Sequence, residues 1–169
     1  MSDLPSFGLI NQKVEKAYQD YSTDSKGSAF IYFGLQTIFK ITDEEIEDAI
    51  TDGSVDGQID AIYISERIVN ILAFKYTDNF ENSQKNYPET ELDLFIQTID
   101  QIISGNLDKT TINTAIWEKY EEIRDLSSSG KVEFKIYVVS NKLQPVDRAK
   151  TKLSNCIDKY RIVEITGSH

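Results

Sequence analysis

The chain has 169 residues with a hydrophobic content of 40%, which suits a single domain with a substantial core. Its formal net charge of -10 argues against a broad nucleic-acid-binding surface, because such surfaces hold phosphates with Lys and Arg. One Cys and one His exclude an internal disulfide and a structural zinc site.

No apolar run approaches the roughly 20 residues of a membrane span, and no signal-peptide layout opens the chain, so we expect a soluble, cytoplasmic protein.

Three helices are predicted before the first strand. Apolar residues recur every three or four positions over residues 7–21 and 29–39. Thr42 followed by Glu45 is a capping-box pattern, which predicts a short third helix ending near Ile50.

A β-hairpin and two helices are predicted next. The β-rich runs 58–65 and 68–76 are separated only by the corner at Glu66 and Arg67, which is typical of a hairpin. One apolar stripe over residues 92–103 predicts a helix ending at Gly105, and the pattern over residues 112–126 predicts another.

The C-terminal part predicts a strand, a helix and a strand. Residues 132–140 and 160–165 are β-rich, and the helical pattern over residues 146–157 lies between them. Such a unit implies parallel pairing with a right-handed crossover. The whole chain therefore predicts an α/β domain with a mixed sheet of about four strands, flanked by helices and preceded by a helical segment.

The hairpin brings an acid and a lysine onto adjacent strands. Side chains on one face of paired strands lie within reach of each other, so Asp60 and Lys75 are expected to converge. A carboxylate can hold Mg²⁺, and a neighbouring ammonium can orient water or offset phosphate charge, which is what phosphodiester hydrolysis needs. The alternatives are a strand-end aspartate and an edge-strand lysine.

This arrangement resembles a known family of nucleases. The runs Asp-Gly-x-Ile-Asp over residues 56–60 and Phe-Lys-Tyr over residues 74–76 are similar to the core motif of the PD-(D/E)xK nuclease superfamily. Within it they resemble Mrr-type restriction endonucleases, and most of all the N-terminal nuclease domain of abortive-infection phage-resistance (AIPR) proteins. The resemblance spans roughly residues 29–165, although only the two short runs are specific.

The resemblance implies a fold, a cofactor and residue roles. It implies a restriction-endonuclease-like domain over residues 1–167, with its core at 28–165, that cuts DNA or RNA in defence against phage. Asp60 would bind Mg²⁺ or Mn²⁺, Lys75 would be the catalytic lysine, and the backbone carbonyl of Phe74 would add a ligand. It also implies nucleic acid as partner, and it leaves a homodimer open.

One position departs from the family pattern. The residue two before the lysine is usually Glu, Asp or Gln, whereas this chain has Ala73, whose methyl group cannot coordinate an ion. Glu44 and Glu47, which share a face of the predicted third helix, and Asp56 are the candidate replacements, with Glu47 favoured. The alternatives are a solvated helix face for the two glutamates and a simple turn for Asp56. A degenerate nuclease-fold module that binds nucleic acid or protein is therefore the alternative function.

The ends of the chain carry two further expectations. Residues 168–169 fit a remnant of an expression tag. The chain is then either one domain alone or an N-terminal fragment whose C-terminal domain is missing.

Overall fold

The computed structural model describes residues 3–160 and 163–168, and for residues 163–168 it describes the backbone alone. Within these residues the chain is an α/β domain, in which seven helices flank a mixed sheet built on three strands. The helices are α1 (Leu4–Tyr21), α2 (Lys26–Phe39), α3 (Asp43–Ala49), α4 (Phe80–Ser83), α5 (Glu89–Ser104), α6 (Thr114–Ser128) and α7 (Asp147–Tyr160), and the strands are β1 (Ala61–Ser65), β2 (Ile68–Lys75) and β3 (Glu133–Ser140).

The sheet combines antiparallel and parallel pairing. Strands β1 and β2 form the predicted antiparallel hairpin, whose corner has Glu66 in the left-handed region with φ 55°. Strand β3 pairs in parallel with the other edge of β2, so that Lys75 lies beside Ser140 at the carboxyl ends of both strands. The backbone of the segment Val163–Ser168 is extended and lies parallel to β3.

Each face of the sheet is covered by its own layer of helices. Alternation along β2 sends Val69, Ile71 and Ala73 into a core shared with α5, α6 and α7. Leu72 and Phe74 point to the opposite face, into a core shared with α1, α2 and α3. Burial on both faces explains why β2 is almost continuously apolar.

Several local predictions are confirmed. Thr42 and Glu45 form the capping box that starts α3. Gly105 ends α5 in the left-handed conformation, with φ 77°.

The single cysteine, Cys156, is buried on α7. Within the described part of the chain, no helix is long and apolar enough to cross a membrane.

Three predicted boundaries are wrong. The first strand begins at Ala61, since residues 58–60 belong to a loop that only leads into the sheet. The stretch between β2 and α5, for which no element is predicted above, contains α4, a single turn capped by Asn79. The last strand does not begin at Tyr160, because α7 continues through that residue; Arg161 and Ile162 lie outside the described residues.

Candidate metal and catalytic site

Asp60 lies at the point where the loop that follows α3 enters the sheet. Its amide donates to the carbonyl of Leu72 at 2.9 Å, which extends the β1–β2 pairing by one residue. Its carboxylate Oδ2 accepts a hydrogen bond of 2.6 Å from the amide of Phe74. Two bonds to β2 therefore fix Asp60 at the strand that carries Lys75.

The residues just before Asp60 form a loop that turns back on it. The amides of Thr51 and Asp52 both donate to the carbonyl of Asp60, at 2.9 and 3.1 Å. The side chain of Asn113, the N-cap of α6, donates to the carbonyls of Thr51 and Ser54. Neighbouring helices thus hold the loop, here called the acidic loop (residues 51–60), against the hairpin.

The backbone of the acidic loop is strained at two side-chain-bearing residues. Val55 and Gln58 have φ values of 55° and 65°, in the left-handed region. A β-branched residue such as Val55 rarely adopts this conformation, and strain of this kind costs about 1–3 kcal/mol. Contacts from the surrounding helices must therefore stabilise the shape that the loop holds.

Gly57 is required at its position for two reasons. Its φ is 63°, and a Cβ placed on it would lie 2.4 Å from Oγ1 and 2.8 Å from Cγ2 of Thr98. Thr98 also donates to the carbonyl of Gly57 at 3.0 Å, so α5 lies directly on the loop. A side chain at residue 57 would push the acidic loop away from α5.

Gly57→Ala is accordingly expected to lower the free energy of unfolding by about 2–4 kcal/mol. This figure combines the cost of an alanine in the left-handed conformation with the cost of its steric clash with Thr98. Chemical denaturation measures the change. Gly8→Ala is the matched control, because a Cβ at Gly8 meets nothing within 4 Å and alanine favours the helix. An equal effect of the two substitutions would contradict this account of the loop.

Three aspartates of the acidic loop converge. Asp52, Asp56 and Asp60 each offer a carboxylate oxygen, and these atoms lie within 4.8 Å of one another. Both oxygens of Asp56 also accept backbone hydrogen bonds, from Gln58 at 2.9 Å and from Gly53 at 3.2 Å. Asp56 therefore shapes the turn as well as contributing charge.

The crowding of these acids changes the acidity of Asp60. Burial, together with the negative charges of Asp52 and Asp56, raises the pKa of Asp60 to about 8 against the lowering effect of the Phe74 amide. Burial also raises the pKa of Asp56. A cation among the three carboxylates would relieve this repulsion.

Lys75 forms an ion pair with Glu91, an acid that lies outside the two sequence motifs. Its Nζ lies 2.8 Å from Oε1 of Glu91 on α5, and both side chains are partly exposed. Ala73 points towards the same helical layer, so α5 supplies a carboxylate on the face where residue 73 offers none. Buried Tyr87 lies beside this group: burial raises the pKa of its hydroxyl, and the charges of Asp60 and Glu91 raise it further.

A cavity of about 220 Å³ opens at this place, here called the site cavity. Asp60 and Lys75 both line it, so the predicted pair faces one volume. The first turn of α2 forms another part of the wall. The complete lining is Ser25, Gly27, Ser28, Ile31, Asp52, Asp60, Phe74, Lys75 and Tyr76.

The other predicted ligands are placed differently. Phe74 lines the site cavity and binds Asp60 through its amide, whereas the prediction concerned its carbonyl oxygen. Glu47 lies outside the aspartate triad, on an exposed face of α3, and lines a neighbouring cavity. Asp52 and Glu91 were not predicted as site residues. The adjacent Asp-Gly pairs at residues 52–53 and 56–57 could have indicated Asp52, whereas no local pattern marks Glu91.

The aspartate triad suits a hard divalent cation. Mg²⁺ and Mn²⁺ prefer carboxylate, carbonyl and water oxygens, and a site with few protein carboxylates leaves positions for water and substrate. The described residues bring no Cys or His to the triad, so a zinc-type ligand set is not formed there.

Comparison with protein-family models, with curated proteins and with solved structures gave no significant match.

Proposed function

We propose that this chain is a metal-dependent nuclease domain that hydrolyses phosphodiester bonds in DNA or RNA. The proposal includes a PD-(D/E)xK fold of restriction-endonuclease type, in which the segment Val163–Ser168 is the fourth strand. The observation that carries it is the convergence of Asp60, Asp52 and Lys75 on one cavity. An anionic metal site beside an ammonium group is what a phosphodiester and its attacking water require.

The aspartates are proposed to hold Mg²⁺ or Mn²⁺. Asp60 and Asp52 face the site cavity, and Asp56 completes the triad. The bound ion would supply Lewis acidity and would lower the pKa of a coordinated water. Asp52 thereby takes the role that Ala73 leaves open, in place of Glu47.

Lys75 is proposed to stabilise negative charge on the phosphate. Lys75 lines the site cavity, and its Nζ is paired with Glu91 at 2.8 Å. The first turn of α2, capped by Ser25, lies across the cavity. A helix N-terminus favours an anion, so the phosphate would meet positive potential from two directions.

The proposed biological role is defence against phage by attack on nucleic acid in the cytoplasm. The role rests on the resemblance of residues 56–60 and 74–76 to nucleases of that kind. A homodimer stays a prediction.

Cleavage of end-labelled oligonucleotides tests the proposed function. Single-stranded DNA, duplex DNA and RNA are incubated with the protein in Mg²⁺, in Mn²⁺ and in excess chelator. We expect hydrolysis of at least one substrate with either metal, and none with chelator, because the triad is proposed to act only with its ion.

Two observations favour a degenerate binding module as the second candidate. Glu91 already neutralises Lys75, and Ala73 supplies no carboxylate. In that case the oligonucleotides stay intact under every condition, while one of them or a protein partner still binds.

A further inference from the structure

A second cavity, of about 480 Å³, adjoins the site cavity. Ser28, Ile31 and Asp52 line both cavities, so one ligand can reach from one into the other. The second cavity, here called the side cavity, lies among the end of α1, α2, α3 and the acidic loop. This volume lies within the range of about 300–1,000 Å³ that is usual for ligand pockets.

One wall of the side cavity is aromatic. The rings of Tyr21 and Tyr32 pack together with their centroids 4.8 Å apart and an interplanar angle of 36°. Both rings are only partly buried, and both line the cavity. Tyrosine rings that keep exposed surface beside a cavity are suitable stacking partners for a nucleobase.

The charged residues of the lining are all acidic. Asp24, Glu47 and Asp52 contribute carboxylates, and the lining, all of it within the described residues, includes no Lys or Arg. A carboxylate accepts hydrogen bonds and donates none. The side cavity therefore repels phosphate and suits an uncharged group that carries N–H donors.

We propose that the side cavity binds the base of an unpaired guanine nucleotide, whose strand places a phosphate in the site cavity. This inference rests on the proposed function and names its substrate as single-stranded nucleic acid containing guanine. Guanine presents N1–H and the N2 amino group side by side on one edge, so both oxygens of a carboxylate can accept from it. Adenine and cytosine offer an amino group beside an acceptor nitrogen on that edge, and thymine offers one N–H. In a duplex the guanine edge is engaged in pairing, which excludes it from the cavity.

Glu47 is the residue that best tests the proposed contact. It lies on the wall formed by α3 and is outside the metal triad, so its charge can be removed without removing a proposed metal ligand. Glu44, on the same helix and absent from the lining, provides a matched control.

The experiment measures binding without cleavage. Fluorescein-labelled thymidine heptamers carry guanine, hypoxanthine, adenine or thymine at the central position, and anisotropy gives their affinities for the Lys75→Ala protein in Mg²⁺. We expect the guanine heptamer to bind at least about tenfold more tightly than the adenine and thymine heptamers. Hypoxanthine lacks the 2-amino group and should lose several-fold.

Substitutions then locate the contact. In the Lys75→Ala background, Glu47→Gln is expected to remove most of the guanine preference, whereas Glu44→Gln should leave it intact. Tyr32→Leu should weaken every heptamer about tenfold, since stacking does not depend on base identity.

Equal affinity for the four heptamers, or a guanine preference that survives Glu47→Gln, would overturn the inference. A failure of the proposed function gives a different result: guanine is still bound preferentially, but the wild-type protein cuts no substrate.

Discussion

Replacement of Lys75 by alanine is expected to lower the cleavage rate on the order of 10³-fold, with little change in folding. Lys75 and Asp60 line the same cavity, and removal of one preorganised charge from a reacting centre commonly costs about 10²–10⁴-fold in rate. The substitution also leaves Glu91 without its cation, but that carboxylate is partly exposed and can be hydrated. Single-turnover kinetics on a labelled oligonucleotide measures the effect.

Two further substitutions show whether the effect of Lys75→Ala is specific to the site. Lys150→Ala, at an exposed position on α7, controls for the loss of one positive charge and should leave the rate unchanged. Glu91→Gln should lower the maximal rate about tenfold with little effect on KM, because Glu91 is proposed to orient Lys75 and not to bind substrate. A Lys75→Ala rate within threefold of wild type would show that the lysine is structural.

Asp60→Asn is expected to stabilise the metal-free protein at pH 8 while abolishing its stabilisation by Mg²⁺. Burial, with Asp52 and Asp56 nearby, raises the pKa of Asp60 from its ordinary value of 3.8 to about 8. Between these two values the folded protein holds a proton that the unfolded chain has released, so the free energy of unfolding falls as pH rises from about 4 to about 8. We expect wild type to lose about 2 kcal/mol or more from pH 5 to pH 8 beyond the loss seen in Asp60→Asn.

Added Mg²⁺ is expected to make wild type the more stable of the two proteins. A Mg²⁺ concentration of 100 times the dissociation constant stabilises a folded protein by about 2.7 kcal/mol. Wild type should gain this stabilisation, and Asp60→Asn should not. Denaturation at pH 5 and pH 8, with and without Mg²⁺, measures both effects. Parallel pH dependence in the two proteins would mean that Asp60 ionises normally, and equal stabilisation by Mg²⁺ would place the ion elsewhere.

The part of the site that could be predicted from the sequence is the part encoded locally. The spacing of Asp60 and Lys75 on either side of a short corner specifies a hairpin, and pairing across a hairpin brings such residues to one place. The capping box at Thr42 and the glycine at residue 105 were also predictable, since each satisfies backbone groups within a few residues.

The part that could not be predicted depends on contacts between distant elements. Glu91 meets Lys75 only because α5 packs back on the hairpin, and an acid near the start of a helix carries no local sign of that contact. Asp52 joins Asp60 because the acidic loop is held by Thr98 and Asn113, which lie more than 40 residues further along. Helical spacing predicts which face of α3 carries Glu47, but it does not show which cavity that face borders.

The boundary at Tyr160 shows a similar limit. The run from this residue is β-rich in the sequence, yet the Tyr160 hydroxyl bonds to Asp100 and its ring lies under Lys159. These contacts with α5 and within α7 keep the residue in the helix, so tertiary packing outweighs local propensity here.

Cleavage by wild type and by Asp60→Asn, compared side by side in Mg²⁺, shows whether the protein is a nuclease and whether Asp60 is its metal ligand. Both proteins are first shown to be folded by circular dichroism, and each is then incubated with labelled single-stranded DNA and RNA. We expect wild type to hydrolyse at least one of the two strands and Asp60→Asn to be slower by at least about 10³-fold. Intact strands with wild type, or equal cleavage by both proteins, would contradict a metal-dependent nuclease centred on Asp60.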